Sequence, residues 1–276
     1  MARPKLSFTQ TARILAISGL LLASVGLGAF SASPAGAGSG VTPGRFTTVP
    51  ARAVQAPASP GQVLSRHGRN VNVTNKSGPQ SETSVAVDPT NPLHMLADAN
   101  DLNSGATVII YESFDRGRTW TNSGFNPGTG FCYDPWLKFN ANGDAFAAYE
   151  CSDQRISFRK AGQTTWNNSI LVNSSPFPDR DMVTVDTSSA SSFKGSVYVG
   201  YDEANFNNAA HVLYSRDGFG NWAKSPTIND TGATIGVNAA VGPNGTVYAT
   251  WEDWSAKKLF VDKSTDGGRR GAPTTW

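Results

Sequence analysis

Short segments in which apolar and polar residues alternate recur along the chain after Pro79, and turn-forming Gly, Pro, Asn, Asp and Ser residues separate them. Alternation with a period of two predicts β-strands with one buried face. The strands fall into four groups, predicted at 82–87, 94–100, 107–113 and 120–125; at 134–139, 144–151, 155–159 and 166–172; at 180–185, 196–201, 211–215 and 222–228; and at 236–241, 246–251 and 258–263, followed by a strand that begins at Trp276.

A Ser-x-Asp-x-Gly-x-x-Trp motif follows the third strand of the first group, and weaker copies follow in later groups. The Asp carboxylate can accept hydrogen bonds from nearby backbone N–H groups, and the Gly supplies the positive φ that closes a tight bend. A degenerate copy without Asp is predicted at 157–166. The residues of the three better copies are Ser113, Asp115, Gly117 and Trp120; Ser215, Asp217 and Trp222; and Ser264, Asp266 and Gly268.

This motif resembles the Asp-box, or bacterial neuraminidase repeat (BNR), of the sialidase superfamily, which lies on the outer hairpin of β-propeller blades. The resemblance covers roughly residues 80–276 and implies an all-β propeller of four-stranded antiparallel blades. Sialidase-like propellers have six blades, whereas four groups of strands are present here. A truncated six-bladed ring is the favoured expectation, and a small four-bladed ring is the alternative. The resemblance alone carries no catalytic site, because Asp-boxes lie away from the propeller mouth.

The first 37 residues resemble a secretory signal peptide, with a basic start, an apolar run at 14–30 and a small-residue cleavage site at 35–37. The alternative is a single membrane anchor. Residues 38–79 are rich in Pro, Gly, Ala, Ser and Thr, which predicts a flexible linker. The mature protein is therefore expected to be secreted and to have no membrane contact after cleavage.

Composition and charge narrow the range of partners. Three of the 23 basic residues lie in the signal segment, so the rest of the chain has 20 basic and 21 acidic residues. A near-neutral body argues against nucleic acid or an anionic membrane as the main partner. Many turn residues and seven Trp suit an all-β protein.

The two cysteines are predicted to form a disulfide bond. The sequence Asn140-Ala141-Asn142-Gly143 favours a hairpin turn. Pairing Asn140 with Gly143 places Cys132 opposite Cys151, at a separation that a disulfide can bridge. A secreted chain with two cysteines favours this pairing.

Acidic and aromatic residues recur where innermost strands begin and second strands end, the level at which propellers place their mouth. Carboxylates at such a mouth can act as acid and base on a glycosidic bond, and exposed rings can stack on sugars. The structural alternative is that the acids cap strand ends, accept hydrogen bonds from loop N–H groups or bind calcium. The candidate catalytic residues are Glu82, Asp134, Arg180, Asp181, Glu150 and Asp202, and the candidate substrate-binding residues are Tyr149, Tyr201, Trp251 and Glu252.

These candidates favour a glycoside-hydrolase-like protein that acts on extracellular glycans or glycoproteins. A non-catalytic glycan- or protein-binding module is the alternative. Authentic sialidase activity is less favoured, because the superfamily grips its substrate with three arginines, the first in an Arg-Ile-Pro motif that this sequence lacks. No His/Cys cluster has zinc spacing, so no metal or other cofactor is expected; calcium is possible but has no motif.

Overall fold

The structure is a computed structural model that describes residues 70–103, 107–167, 170–173, 178–203, 208–230 and 232–269. The predicted signal peptide, residues 38–69 of the predicted linker and the strand at Trp276 lie outside the described residues. Within the described ranges the secondary structure is entirely β. No helix there has the length and apolar character needed to cross a bilayer.

Four antiparallel sheets follow one another along the chain, and each contains strands that are consecutive in sequence. We call these sheets blades one to four. Blade one has β1 (Gln80–Val87), β2 (Met95–Asp101), β3 (Thr107–Ser113) and β4 (Thr121–Asn122); blade two has β5 (Tyr133–Phe139), β6 (Ala145–Glu150), β7 (Gln154–Arg159) and β8 (Ile170–Asn173); blade three has β9 (Pro178–Val185), β10 (Val197–Glu203), β11 (Ala209–Ser215) and β12 (Ala223–Lys224); and blade four has β13 (Thr234–Val241), β14 (Val247–Asp253) and β15 (Lys258–Ser264).

The innermost strands contact each other in sequence, β1 with β5, β5 with β9 and β9 with β13, as the blades of a β-propeller do. Every predicted strand within the described residues is present. The fold is therefore the predicted all-β propeller of antiparallel blades.

The hydrophobic core lies between the faces of successive blades. One buried cluster joins Leu96 and Ile110 of blade one to Leu137 of blade two. Equivalent clusters join blade two to blade three and blade three to blade four. Both faces of the two middle blades are thus covered, which explains why their second strands are apolar almost throughout.

Residues 70–79, assigned to the linker by composition, lie against blade one. Val73 packs on a cluster of Ala99, Ile109 and Tyr111, and the Lys76 ammonium contacts the Asp101 carboxylate at 2.6 Å. One apolar side chain and one ion pair thus hold residues 70–79 against blade one, although their composition favours a loop.

The bend after β3 is held by the hydrogen bonds of one serine and one aspartate. Ser113 Oγ donates to Asp115 Oδ1 (2.8 Å) and accepts from the backbone N–H of Gly117 (2.8 Å). The Asp115 carboxylate accepts from the N–H groups of Arg118 and Thr119, both at 2.9 Å. These donors lie three and four residues after Asp115, and they confirm that nearby backbone N–H groups bind its carboxylate.

The bends after β11 and β15 repeat this arrangement. Ser215 Oγ donates to Asp217 Oδ1 at 3.1 Å, and Ser264 Oγ donates to Asp266 Oδ1 at 2.6 Å. The N–H of Gly268 donates to Ser264 Oγ at 2.9 Å. Three equivalent bends are therefore present, although their assignment to the Asp-box family stays a prediction.

The degenerate fourth copy at 157–166 was placed in the wrong register. Ser113, Ser215 and Ser264 each pair with the first residue of the preceding strand, and the residue in that position of blade two is Arg159. Ser157 lies two residues earlier, is buried and is hydrogen-bonded to the Tyr149 hydroxyl at 3.2 Å. The sequence spacing between Ser157 and Trp166 favours aligning Ser157 with the first residue of the motif, but the strand pairing does not support that alignment.

The predicted disulfide between Cys132 and Cys151 is present, with an S–S distance of 2.08 Å. The predicted strand pairing is correct at the cysteines and differs by one residue at the turn. Phe139 pairs with Ala145, one residue away from the predicted register, and a bulge between Tyr133 and Trp136 restores the predicted pairing beside the disulfide.

Candidate active site

A residue with left-handed backbone conformation lies near the start of each innermost strand. The φ angles are 51° for Glu82, 52° for Asp134, 60° for Arg180 and 71° for Gly236. In every blade the pairing of the first two strands shifts at this position, so each residue belongs to a β-bulge. Such bulges re-aim side chains at functional sites. The equivalence predicted for these four positions is thus visible in the backbone.

The residues that end the second strands hold the bulge of the next blade. Asn100 Oδ1 accepts a hydrogen bond from the N–H of Asp134 at 2.9 Å, and Asp202 Oδ1 accepts one from the N–H of Gly236 at 3.2 Å. The polar residue that recurs at this position therefore accepts a backbone N–H of the next blade. This is the structural role that was the alternative to catalysis for the acids.

Glu82, Asp134 and Arg180 surround a small depression of about 190 Å³. The side-chain amide of Asn100 donates to Glu82 at 2.6 Å and reaches Asp134 at 3.4 Å. One Arg180 Nη atom lies 4.0 Å from Glu82. The other lining residues are Thr83, Pro135, Trp136, Asp181 and Met182.

The environment of Glu82 favours its protonated form. Burial, together with the hydrogen bond and charge of Asp134, raises the pKa of Glu82 to about 8, although Arg180 and Asn100 oppose the shift. About a third of the Glu82 side chain is exposed. A partly accessible carboxyl group that carries a proton at neutral pH can donate it to a ligand.

Three of the predicted acids are more deeply buried than Glu82. Asp181 and Asp202 are at most 1% exposed. Burial and neighbouring carboxylates raise the pKa of Asp202 to about 8 and hold the pKa values of Asp181 and Glu150 well above their ordinary range. These groups shape the charge of the site, but their burial argues against direct contact between a substrate and Asp181 or Asp202.

The predicted role of three aromatic residues in sugar binding is wrong. Tyr149 and Tyr201 are fully buried and Trp251 is 5% exposed, because all three pack in the core between blades. Alternation places their rings on a blade face, so they present no surface to a sugar at the mouth. Glu252, the fourth predicted binding residue, is exposed at the end of β14.

The sequence reasoning missed three residues of this site. Asp179 precedes Arg180, and burial and the charge of Asp134 raise its pKa to about 7. Gln154 is fully buried beside Asp181, and Trp136 lines the depression. Two features of the sequence could have indicated these residues: the acids on both sides of Arg180, and the Trp two residues after Asp134.

Comparison with known proteins supports the fold alone. A scan against protein-family models finds no match, and a search of curated proteins finds none either. Among solved structures, a leech intramolecular trans-sialidase aligns with 78% of this chain and 55% of its own, at 10% identity and a TM-score of 0.57. The intramolecular trans-sialidase from Ruminococcus gnavus aligns with 74% of this chain and 72% of its own, at 10% identity and a TM-score of 0.55.

A Hadza microbial sialidase aligns with 71% of this chain and 47% of its own, at 14% identity and a TM-score of 0.51. The chain thus spans about half the length of two of these three enzymes. Identities of this size carry no information on substrate or mechanism, but three independent alignments agree on the architecture. The chain has a sialidase-like β-propeller fold.

Proposed function

We propose that this protein is a secreted glycoside hydrolase that acts on extracellular glycans, with Glu82 as the proton donor and Asp134 as the second carboxyl group. The observation that carries the proposal is the placement of these two side chains around one depression, within reach of the same Asn100 amide. Glycosidases generally use two carboxyl groups, one as the proton donor and the other as the nucleophile or base.

The scarcity of basic residues at the mouth favours a neutral sugar over a sialic acid. Among the described lining residues Arg180 is the only basic one, and it already faces Glu82. One shared guanidinium offers the carboxylate of a sialic acid little to pair with. Trp136 is the aromatic side chain placed to pack against a sugar ring in this depression.

Release of reducing sugar from a panel of neutral and sialylated oligosaccharides tests the proposal. Turnover of a neutral substrate is expected, with Glu82→Gln and Asp134→Asn each reducing kcat by about 10²-fold or more. Asp262→Asn removes one acid from β15 and should leave kcat unchanged, since Asp262 accepts a hydrogen bond from the backbone N–H of Lys263 and is not among the described residues that line the depression. Glycan binding with no turnover would support the non-catalytic module instead.

The pH dependence of the same assay gives a sharper test. Because Glu82 must be protonated to act, activity should fall as the pH rises through about 8, the pKa of Glu82. In Glu82→Gln the residual activity should lose this alkaline limb. A wild-type profile that stays flat to pH 9 would exclude Glu82 as the proton donor.

A further inference from the structure

Three carboxylates from blades two and three converge beside the depression. One oxygen each of Asp134, Glu150 and Asp179 lies within 4.8 Å of the other two. They come from the bulge of β5, the end of β6 and the start of β9, so separate strands bring them together. Oxygen atoms at such separations can occupy one coordination sphere of a cation, whose radius is about 2.3–2.6 Å for calcium.

The surroundings of this triad contain buried polar atoms without hydrogen-bond partners. Among the described residues, none donates a hydrogen bond of normal geometry to Glu150 Oε2 or to either carboxylate oxygen of Asp181. Asp181 is 1% exposed, and of the neighbouring charges it acts most strongly on Glu150. The buried side-chain amide of Gln154 interacts with Asp181, and Gln154 pairs across the strands with Glu150. Leaving such groups unpaired in the interior is costly, which points to a bound group that they face.

The charge balance points to the same conclusion. Arg180 is the basic side chain that acts on Asp179, and it also faces Glu82. A divalent cation offsets two charges and takes several oxygen ligands at once, which one guanidinium cannot do. The cluster offers only carboxylate and amide oxygens, which suit a hard cation such as calcium better than zinc.

We propose that Asp134, Glu150 and Asp179 bind a divalent cation, calcium in preference to magnesium, which links blades two and three behind the mouth. Asp181 and Gln154 lie in the shell around it. The sequence predicts no cofactor and leaves calcium binding as an alternative role for the acids. Cation binding goes beyond the proposed hydrolase activity, and its measurement needs no glycan.

Isothermal titration of the EDTA-treated, dialysed full chain with calcium chloride tests the site, and thermal unfolding with and without calcium gives a second readout. One binding event and a higher Tm are expected with calcium, and a weaker effect with magnesium. Glu150→Gln and Asp179→Asn should each weaken calcium binding by about tenfold or more, because each removes a charged ligand. Asp262→Asn should bind calcium like the wild type.

The variants also distinguish a cation site from acids that serve the fold alone. In EDTA, Glu150→Gln and Asp179→Asn should keep a Tm at least as high as that of the wild type, because each replaces a crowded carboxyl group by an amide of the same shape, and the Tm increase with calcium should shrink. No heat and no Tm change with millimolar calcium at neutral pH would overturn the proposal. Calcium binding that neither variant weakens would also overturn it.

Discussion

At the scale of single residues, the mouth depends on a backbone conformation that most side chains avoid. Glu82, Asp134 and Arg180 have φ values of 51° to 60°, in the left-handed region. Such conformations cost about 1 kcal/mol or more for residues other than glycine. Blade four has Gly236 at the equivalent position, where no side chain is needed. In three blades a strained backbone conformation thus places a charged side chain at the mouth. Such strain is common at functional sites.

Gly236→Ala measures this cost directly. A Cβ at Gly236 would meet no atom within 4 Å, so the substitution tests conformation alone. We expect the free energy of unfolding to fall by about 1 kcal/mol, measured by urea denaturation. Gly236→Asn should lose less, since Asn tolerates this region better. Gly220→Ala, at an equally open position without a positive φ, should have little effect; equal losses at both glycines would contradict the argument.

At the scale of elements, the serine–aspartate bends fix where the third strand of a blade ends. The bends differ in how many hydrogen bonds their aspartates accept. Asp115 accepts from Ser113 Oγ, the N–H groups of Arg118 and Thr119, and Thr119 Oγ1, whereas Asp217 accepts from Ser215 Oγ and the N–H of Phe219. The same motif therefore stabilises the two hairpins to different extents.

Substitution by alanine should reveal that difference. Asp115→Ala should lower the urea midpoint more than Asp217→Ala, with an unchanged m-value. The Thr119 hydroxyl and N–H lower the pKa of Asp115 from 3.8 to about 2. Its contribution is thus present above pH 4 and is lost as the pH falls towards 2. The stability difference between wild type and Asp115→Ala should accordingly narrow in acid; a constant difference would show that the carboxylate is not responsible.

The disulfide is the second element-scale device, since it closes the hairpin of blade two below the bulge. It joins residues 19 positions apart. Replacing both cysteines by serine should cost about 3 kcal/mol of unfolding free energy, most of it through the unfolded chain. The wild type with dithiothreitol should match the double variant. Alkylation without reductant should leave the intact mass of the wild type unchanged, and two added alkyl groups would refute the bond.

At the scale of the whole molecule, stability depends on contacts between blades that include buried acids. Leu137 of blade two donates its backbone N–H to Ser84 Oγ of blade one at 3.0 Å, and Ser84 Oγ donates to Asp98 at 3.0 Å. Burial raises the pKa of Asp98 from 3.8 to about 7, against the effect of Ser84. A single carboxyl group thus links the packing of two blades to pH.

The raised pKa of Asp98 predicts that the free energy of unfolding is lower at neutral pH than in acid. A group whose folded pKa is raised contributes stability that is complete below its unfolded pKa and is lost as the pH rises through the folded value. In calcium-free buffer the free energy of unfolding should therefore decrease between about pH 4 and pH 7 through Asp98. Asp98→Asn should flatten this decrease, and Asp262→Asn should not. A wild type that is equally stable at pH 5 and pH 8 would contradict the prediction.

Close approach of blades three and four gives a further test. A Cβ at Gly200 would lie 2.5 Å from the carbonyl oxygen of Val237 in the next blade. Gly200→Ala should therefore lower the unfolding free energy by about 1–3 kcal/mol, as overpacking does. The equivalent residue of blade two is already Ala148, so Ala148→Gly should not relieve any clash. A neutral Gly200→Ala would show that the two blades can separate at this point.

Most of the fold and half of the site were accessible from the sequence, for one reason. Strand alternation, turn chemistry and the pairing of Cys132 with Cys151 are local or nearly local patterns, so they predicted the blades and the disulfide. The same local equivalence placed Glu82, Asp134 and Arg180 at matching strand starts.

Only the tertiary structure decided which face of a strand is buried against another blade and which side chains meet across blades. In the structure Tyr149, Tyr201 and Trp251 lie in the core. The sequence could not predict this, because a two-residue period does not show whether an aromatic residue before an acid faces a neighbouring blade or the mouth. The tertiary structure also brought Asp179 beside Asp134 and Glu150. That proximity depends on how three strands converge at a common centre, which no spacing along the chain records.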